Sequence, residues 1–230
     1  MITARFVAFF LLLHGAGFVA TAANADSDPW EPVNRRIFVF NETLDTYALK
    51  PLSVSYARVV PAPARTSVRN FFYNLNDINV FINDVLQMKL ADAASDSGRF
   101  VVNTTAGVGG LFDVASRLGL ERNQEDFGQT FGAWGLEPGP YLMLPLFGPS
   151  SVRDAIGFVL DTLTNPLSYV DKVAARNGLL LLRQIQVRTD SAGLEDMMMG
   201  DHYLFLREGY LQQRAFVTSD GEYYDDFDDF

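Results

Sequence analysis

No cysteine occurs in the 230 residues. That excludes a disulfide framework, a thiolate metal site and a thiol nucleophile. Histidine is nearly as scarce: after the first 25 residues only His202 remains. A Ser-His-acid triad would have to use it, and a His/Cys metal cluster cannot form. His202 stands beside Asp201 at the start of the last predicted helix, the setting of an ordinary surface residue. Lys and Arg number 18 against 28 Asp and Glu, for a net charge of -10; a nucleic-acid binder would need a basic face instead. Long apolar runs are missing after the first segment. GPYLMLPLFG and NGLLLLRQI stop at about ten residues, short of the roughly 18 that cross a bilayer as a helix. The many alternating segments of a transmembrane barrel are absent. So are internal repeats and the βαβ alternation of a doubly wound sheet.

What is present is apolar and aromatic. Hydrophobic residues make up 48%, aromatics 13%, and the mean hydropathy is +0.06. This composition excludes a disordered chain and leaves a core-rich globular protein or one with part of its surface in lipid. Residues 1–25 read as a cleavable export signal: Arg5 as a short positive region, Phe6 to Ala20 as an apolar stretch, and Ala23-Asn24-Ala25 as the small-x-small site of a signal peptidase. The alternative for this segment is an uncleaved membrane anchor. The remaining length suits one domain, taken as residues 26–217, followed by an acidic tail, 218–230.

Periodicity predicts a mostly α-helical fold. A first helix spans Glu31 to Ala48, with Ile37, Phe40 and Leu44 on one stripe. Pro51 to Pro63 reads as a linker or extended crossing segment. Ser67 to Leu90 carries Val68, Phe71, Phe72, Leu75, Ile78, Ile82, Val85 and Leu86 at helical spacing, while its five asparagines lower the propensity and allow a break into two helices. Further helices are expected over Ala91 to Asn103, Leu111 to Leu118, Gln124 to Trp134, Ser151 to Thr164, Leu167 to Arg188 and Asp201 to Val217. Tyr141 to Phe147 is expected to be extended, with Leu142, Leu144 and Leu146 on one side and Tyr141, Met143 and Phe147 on the other.

Between Asn103 and Asp154 glycines alternate with aromatic and aliphatic residues: NTTAGVGGLFDVAS, DFGQTFGAWG and GPYLMLPLFGPSSVRD. Gly107-Val108-Gly109-Gly110 lacks the rest of a phosphate-loop pattern, and Asp126-Phe127-Gly128 lacks every other kinase element. The segment serves either as turns and tight helix contacts in an ordinary core, or as the wall of an amphipathic conduit.

Taken with DPWEPVNRRIFVFN (Asp28 to Asn41), LKPLSVSYARVVPAPAR (Leu49 to Arg65) and YLFLREGYLQQRAFV (Tyr203 to Val217), it resembles the MlaA (VacJ) family of outer-membrane phospholipid-transport proteins over nearly all of the mature chain. The resemblance implies a single-domain ring of amphipathic helices in the inner leaflet of the outer membrane, open through a central channel. It implies association with a trimeric porin and delivery of misplaced phospholipid to a periplasmic carrier, MlaC, with no enzymatic step and no cofactor. Path candidates are Gly107, Gly109, Gly110, Phe127, Phe131, Trp134, Tyr141, Leu142, Leu144 and Leu146, with Lys172 as a cation beside the path. A second reading is a membrane-lipid hydrolase using His202 or paired carboxylates. A third is a purely structural, porin-associated protein. The tail holds six acids and no base, interleaved with Tyr223, Tyr224, Phe227 and Phe230. Those rings are expected to dock on the carrier, or else the tail is merely solvated.

Many members of the family are acylated on a cysteine at the cleavage site, and this sequence offers none. The mature protein is expected to begin after Ala25 and to carry no acyl chain. Intact mass spectrometry checks this; a mass retaining residues 1–25, or one increased by fatty acyl groups, contradicts it.

Overall fold

The structure, a computed structural model, describes residues 28–193, 195 and 198–221. The leader (1–25) and the tail aromatics Tyr223, Tyr224, Phe227 and Phe230 lie outside the described residues. Helix α1 (Glu31–Leu44) runs through a π-helical turn (Asp45–Leu49) into α2 (Lys50–Val59). A long α3 (Ala62–Leu86) and α4 (Leu90–Thr105) form a helical hairpin, followed by a 3-10 turn (Ser116–Leu118) and the short α5 (Phe127–Ala133). Strands β1 (Tyr141–Leu144) and β2 (Gly148–Ser151) pair antiparallel, with Tyr141 opposite Ser151 and Leu144 opposite Gly148. Then come α6 (Val152–Thr164), a 3-10 turn (Pro166–Tyr169), α7 (Val173–Asp190) and α8 (His202–Thr218). The fold is mostly α with one short hairpin, as expected.

Several local expectations are corrected. Pro51 to Pro63 is not an extended linker. Pro51 and Pro63 occupy the first turns of α2 and α3, where a missing N–H leaves no helical bond unmade and the fixed φ suits the helix. The chain therefore turns only at Val60 and Pro61. Helix α3 does not break: it is continuous over 25 residues. Leu111 to Leu118 is mostly turn, with 3-10 geometry only from Ser116, because the side chain of Asp113 captures the Ser116 amide at 3.1 Å.

The larger correction concerns which face is buried. In α3 the buried residues include Asn74, Asp77, Asn79, Asn83 and Asp84, while Tyr73, Phe81, Val85 and Leu86 are exposed. In α1 the buried residue is Asn34, and Val33 and Phe40 are more than half exposed. The fully buried set includes Arg99, Asn103, Thr130 and Asp96, whereas Ile156, Leu163, Leu181 and Val187 lie open. A protein surrounded by water places these classes the other way round. An apolar nucleus is formed among the described residues by Tyr141, Met143 and Tyr203, with Ile37, Phe38, Tyr210 and Leu211 packed against it.

Buried polar groups must find partners, and most do. Arg99, on α4, donates to Ser116 Oγ at 3.1 Å and to both oxygens of Asp113 at 3.2 Å. Asn103 accepts from the amides of Val114 and Ala115 at 2.8 and 2.9 Å. These two side chains hold the loop after α4 onto the helix. Burial alone would raise Asp113, but the Ser116 hydroxyl and amide, Arg99 and Asn103 outweigh it and hold the carboxyl at about 2. Glycines let elements meet where a methyl group would collide: a Cβ on Gly157 would lie 2.5 Å from the Gly128 nitrogen, at the α5–α6 contact.

Asp77, Asp84, Asp96 and the Tyr141 hydroxyl each keep at least one buried polar atom without a partner, and Asp84 is the extreme case beside Asp96. Asp84 and Asp96 are both fully buried, and neither oxygen of Asp84 has a protein donor. Asp96 stands close enough for its charge to disfavour the ionised form of Asp84, in the same direction as burial. Burial first, and then Asp96, Glu125 and Asp92, push Asp84 up to about 7. Burial likewise lifts Asp77 and Asp161 to about 6. Between about pH 4 and 7 the folded protein therefore holds protons that the unfolded chain has released, and stability is lost as pH rises through that window. We expect the Tm in detergent to fall by about 5 °C from pH 5 to pH 8, with a shallower slope in Asp84→Asn. A flat wild-type profile would contradict the raised carboxyls.

Candidate lipid path

The hairpin is held by two asparagines seven residues apart on α1. Asn34 donates to the Tyr141 carbonyl at 3.1 Å and accepts from the Met143 amide at 2.9 Å. Asn41 donates to the Leu144 carbonyl at 2.9 Å and accepts from the Leu146 amide at 2.8 Å. Each side-chain amide imitates a strand neighbour, so β1 is paired by β2 on one edge and by α1 on the other. Two turns of helix place both amides on one face. Leu146 is not on the strand face that the sequence suggested: it lies in the turn at φ 72°, a left-handed conformation unusual for leucine, and the Asn41 bond secures it. Alternation holds only through Leu144, with Tyr141 and Met143 buried and Leu142 and Leu144 half-buried.

Beside the hairpin, Asp126, Asp154 and Arg214 join α5, α6 and α8. Arg214 donates to Asp126 at 2.7 and 3.0 Å and to Asp154 at 3.0 Å. Asp154 also accepts from the Tyr210 hydroxyl. Burial would raise both carboxyls, and Arg214 reverses the direction, so both sit below the usual carboxylate range. Asp126 caps α5, accepting from the Gln129 amide at 2.9 Å. The kinase-like tripeptide is thus a helix cap beside an ion pair.

The path candidates fall into distinct settings. Gly107 and Gly110 are closely packed, with a Cβ on Gly107 reaching 2.2 Å from the Phe112 carbonyl and one on Gly110 reaching 2.6 Å from the Asn74 side chain; Gly109, at φ 68°, faces open space. Phe127, Phe131 and Trp134 form an aromatic row along α5, with ring centres 6.4 and 5.9 Å apart. The row runs from buried Phe127 to exposed Trp134, whose indole N–H donates to the Leu86 carbonyl at 3.1 Å. Tyr141 is fully enclosed and Leu146 is open. Lys172 is exposed at the N-cap of α7. Both α5, which carries the row, and the hairpin pack against α6, where Phe147 also meets Phe158 with ring centres 4.6 Å apart and planes tilted by 52°. Lys172 lies apart from that group. An open groove of 450 Å³ runs along α8, lined by Met199, Leu204, Phe205, Glu208 and Gln212, and none of the candidates borders it.

Sequence reasoning missed Asn34, Asn41, Asp126, Asp154, Arg214 and the buried pair of Asp84 and Asp96. The seven-residue spacing of Asn34 and Asn41 on a helix preceding an extended segment was the one available signal. His202, the base of the hydrolase reading, is an exposed residue 3.6 Å from Glu42.

Replacing Asn34 with Ala leaves a buried amide and a buried carbonyl unmatched and is expected to cost about 2–4 kcal/mol, against about 1 kcal/mol for the more exposed Asn41→Ala. Hydrogen exchange provides the local check. The Met143 amide should exchange faster in Asn34→Ala, and the Leu146 amide in Asn41→Ala. Unchanged protection at both amides would remove the clamp from the account.

Residues 26–217 match the model of the MlaA lipoprotein family. The chain is 36% identical over 225 residues to the Escherichia coli intermembrane phospholipid transport system lipoprotein MlaA, spanning 92% of this chain and 86% of that protein. It is 30% identical to the Haemophilus influenzae protein of that name, over 85% and 81% of the two chains. A solved chain, described under the structural basis for maintenance of bacterial outer membrane lipid asymmetry, superposes with a TM-score of 0.73 at 37% identity, covering 84% of this chain and 99% of that one. With an inverted polarity, a clamped hairpin and these relatives, the chain belongs to the MlaA lipoprotein family.

Proposed function

We propose that the protein moves phospholipid out of the outer leaflet of the outer membrane without chemically altering it, and so maintains lipid asymmetry. The observation that carries this reading is the reversed polarity of the helices. Among the described residues no helix is long and apolar enough to cross a membrane, yet apolar side chains cover the outer faces of α3, α6 and α7 and polar ones fill the interior. An apolar exterior of this kind is stable against acyl chains, and a polar interior suits the headgroup of the lipid that crosses it. The protein is an outer-membrane component on this reading, in line with the outer membrane lipid asymmetry in the description of the similar solved chain. With no cysteine in the sequence, we propose that embedding of the folded body replaces an acyl anchor. A trimeric porin and the periplasmic carrier MlaC are the partners this reading calls for, with the acidic tail as the proposed carrier contact.

Leu144 and Phe131 remain the proposed path contacts, and Phe81 and Leu181 the bilayer contacts. Phe81→Asp and Leu181→Asp are expected to move most of the protein from the outer-membrane fraction to the soluble periplasm. Leu144→Asp and Phe131→Asp should keep their abundance and location, yet let phospholipid accumulate at the cell surface. Retention of the Phe81 and Leu181 variants in the membrane would defeat the embedding. Lipid extracted from the purified protein should be intact phospholipid; fatty acid and lysolipid would support the hydrolase instead.

A further inference from the structure

The corner between α3 and α4 carries an apolar patch that hydrogen bonds fix in place and leave open. Gln87 and Lys89 both donate to Glu125, at 2.7 and 2.8 Å, which pins the corner on either side of Met88. Met88 itself stands at φ 63°, a left-handed conformation that glycine or asparagine adopts more readily, and it is 76% exposed. Leu86 and Leu90 flank it and are exposed as well. The Trp134 indole donates to the Leu86 carbonyl at 3.1 Å, so the open end of the α5 aromatic row lies against the same corner. Leu136, two residues further on, is also exposed.

The end of α8 arrives at this place. Lys89 pairs with Asp220 as well as with Glu125. Arg153 donates to the Leu136 carbonyl and to the Thr218 hydroxyl, each at 3.3 Å, and so joins the far side of the patch to the last turn of α8. The helix closes with Asp220 at φ 54° and Gly221 at φ 84°, and the Gly221 amide donates to the Phe216 carbonyl at 2.9 Å. A left-handed close of this form turns the chain out of the helix line. Residues 222–230 therefore depart beside the residue that Lys89 holds.

The pattern of that segment, EYYDDFDDF, matches an apolar surface. At about 100° per residue, a helix would gather Tyr223, Tyr224, Phe227 and Phe230 in an arc of roughly 120° and leave every acid on the remainder. A segment this short does not hold a helix alone in water, so such a face needs a surface to form on. It would be about 14 Å long as a helix and about 30 Å extended, and either length spans the step from Asp220 past Lys89 to Met88.

We infer that residues 222–230 dock on this patch of the same molecule, with the four rings against Met88, Leu90 and Trp134 and the acids outward. The inference goes beyond the transport reading and does not depend on it. Two other arrangements fit less well. A bilayer covering the patch would have to take in Lys89, Glu125 and Asp220 at the same spot. The open groove along α8 is lined by Asp201 and Glu208, which repel an acidic segment. A tail held at the corner is withheld from the carrier, so the carrier contact proposed above competes with this site.

The test uses the full chain in detergent with Trp30→Phe, which leaves Trp134 as the one indole. Deleting 222–230, or replacing its four rings with Ser while keeping every acid, should raise acrylamide quenching of Trp134 about twofold and shift its emission to the red. Hydrogen exchange, with Trp30 retained, is the second readout. Amides of 222–230 should exchange about tenfold faster in the exposed-site double variant Met88→Ser, Leu90→Ser than in wild type. Added salt should leave the protection in place, because rings and not charges make the contact. Equal quenching with and without the segment would overturn the inference and mark the patch as covered by detergent or lipid. Protection that survives replacement of the rings would overturn it too. So would protection that appears only as protein concentration rises, which marks a second copy as the cover.

Discussion

The constraint on which this structure depends is the satisfaction of polar groups inside a helical layer whose outside is apolar. In water, burial of apolar area drives helices together. Here much of that area stays on the exterior, and Asn, Asp and Arg side chains fill the contacts. Each buried group then needs a specific partner, because an unmatched one costs more than a matched one contributes. Arg99 with Asp113, Asn103 with the Val114 and Ala115 amides, and Thr130 with Asn83 at 2.7 Å are solutions to that requirement. Hydrogen bonds are directional, so they define helix positions more narrowly than apolar contact does.

The same logic explains the hairpin. A lone two-stranded ribbon is marginal, and four-residue strands are short. Asn34 and Asn41 supply the missing edge and tie the hairpin rigidly to α1, so a wall next to α6 is built without a third strand. Glycine completes the arrangement at Gly128 and Gly157, where α5 and α6 approach too closely for a side chain. The arginine–carboxylate group of Asp126, Asp154 and Arg214 then fastens α8 against both.

These features converge on a molecule with two solvents. Acyl chains suit the outer faces of α3, α6 and α7, and water or a headgroup suits the interior. Transport of an amphiphile needs little more than two such surfaces close together and a means of leaving the bound state. The scarcity of histidine and the absence of cysteine agree with that, since no bond in the cargo has to be made or broken.

The sequence by itself determined the helical class, the strand-turn character around Tyr141 to Phe147 and, after the first segment, the lack of an apolar run long enough to cross a membrane as a helix. These follow from local periodicity, from Gly and Pro at turns and from run length, all short-range properties. Helices such as Val152–Thr164 and His202–Thr218 were legible from their periodicity, and the side chains of Ser151 and Asp201 cap their starts in the structure. Only the tertiary structure decided which face is inside. The stripe of Phe71, Leu75, Ile78 and Ile82 on α3 has the right period for a core, and period says nothing about whether the medium outside is water or lipid. The five asparagines read as weak points in a helix, yet three of them, Asn74, Asn79 and Asn83, are its buried contact surface. The pair of Asp84 and Asp96 was invisible for a related reason. The setting of Asp84 depends on Asp96 of the next helix, α4, and on Glu125, and such proximity is a property of the fold alone.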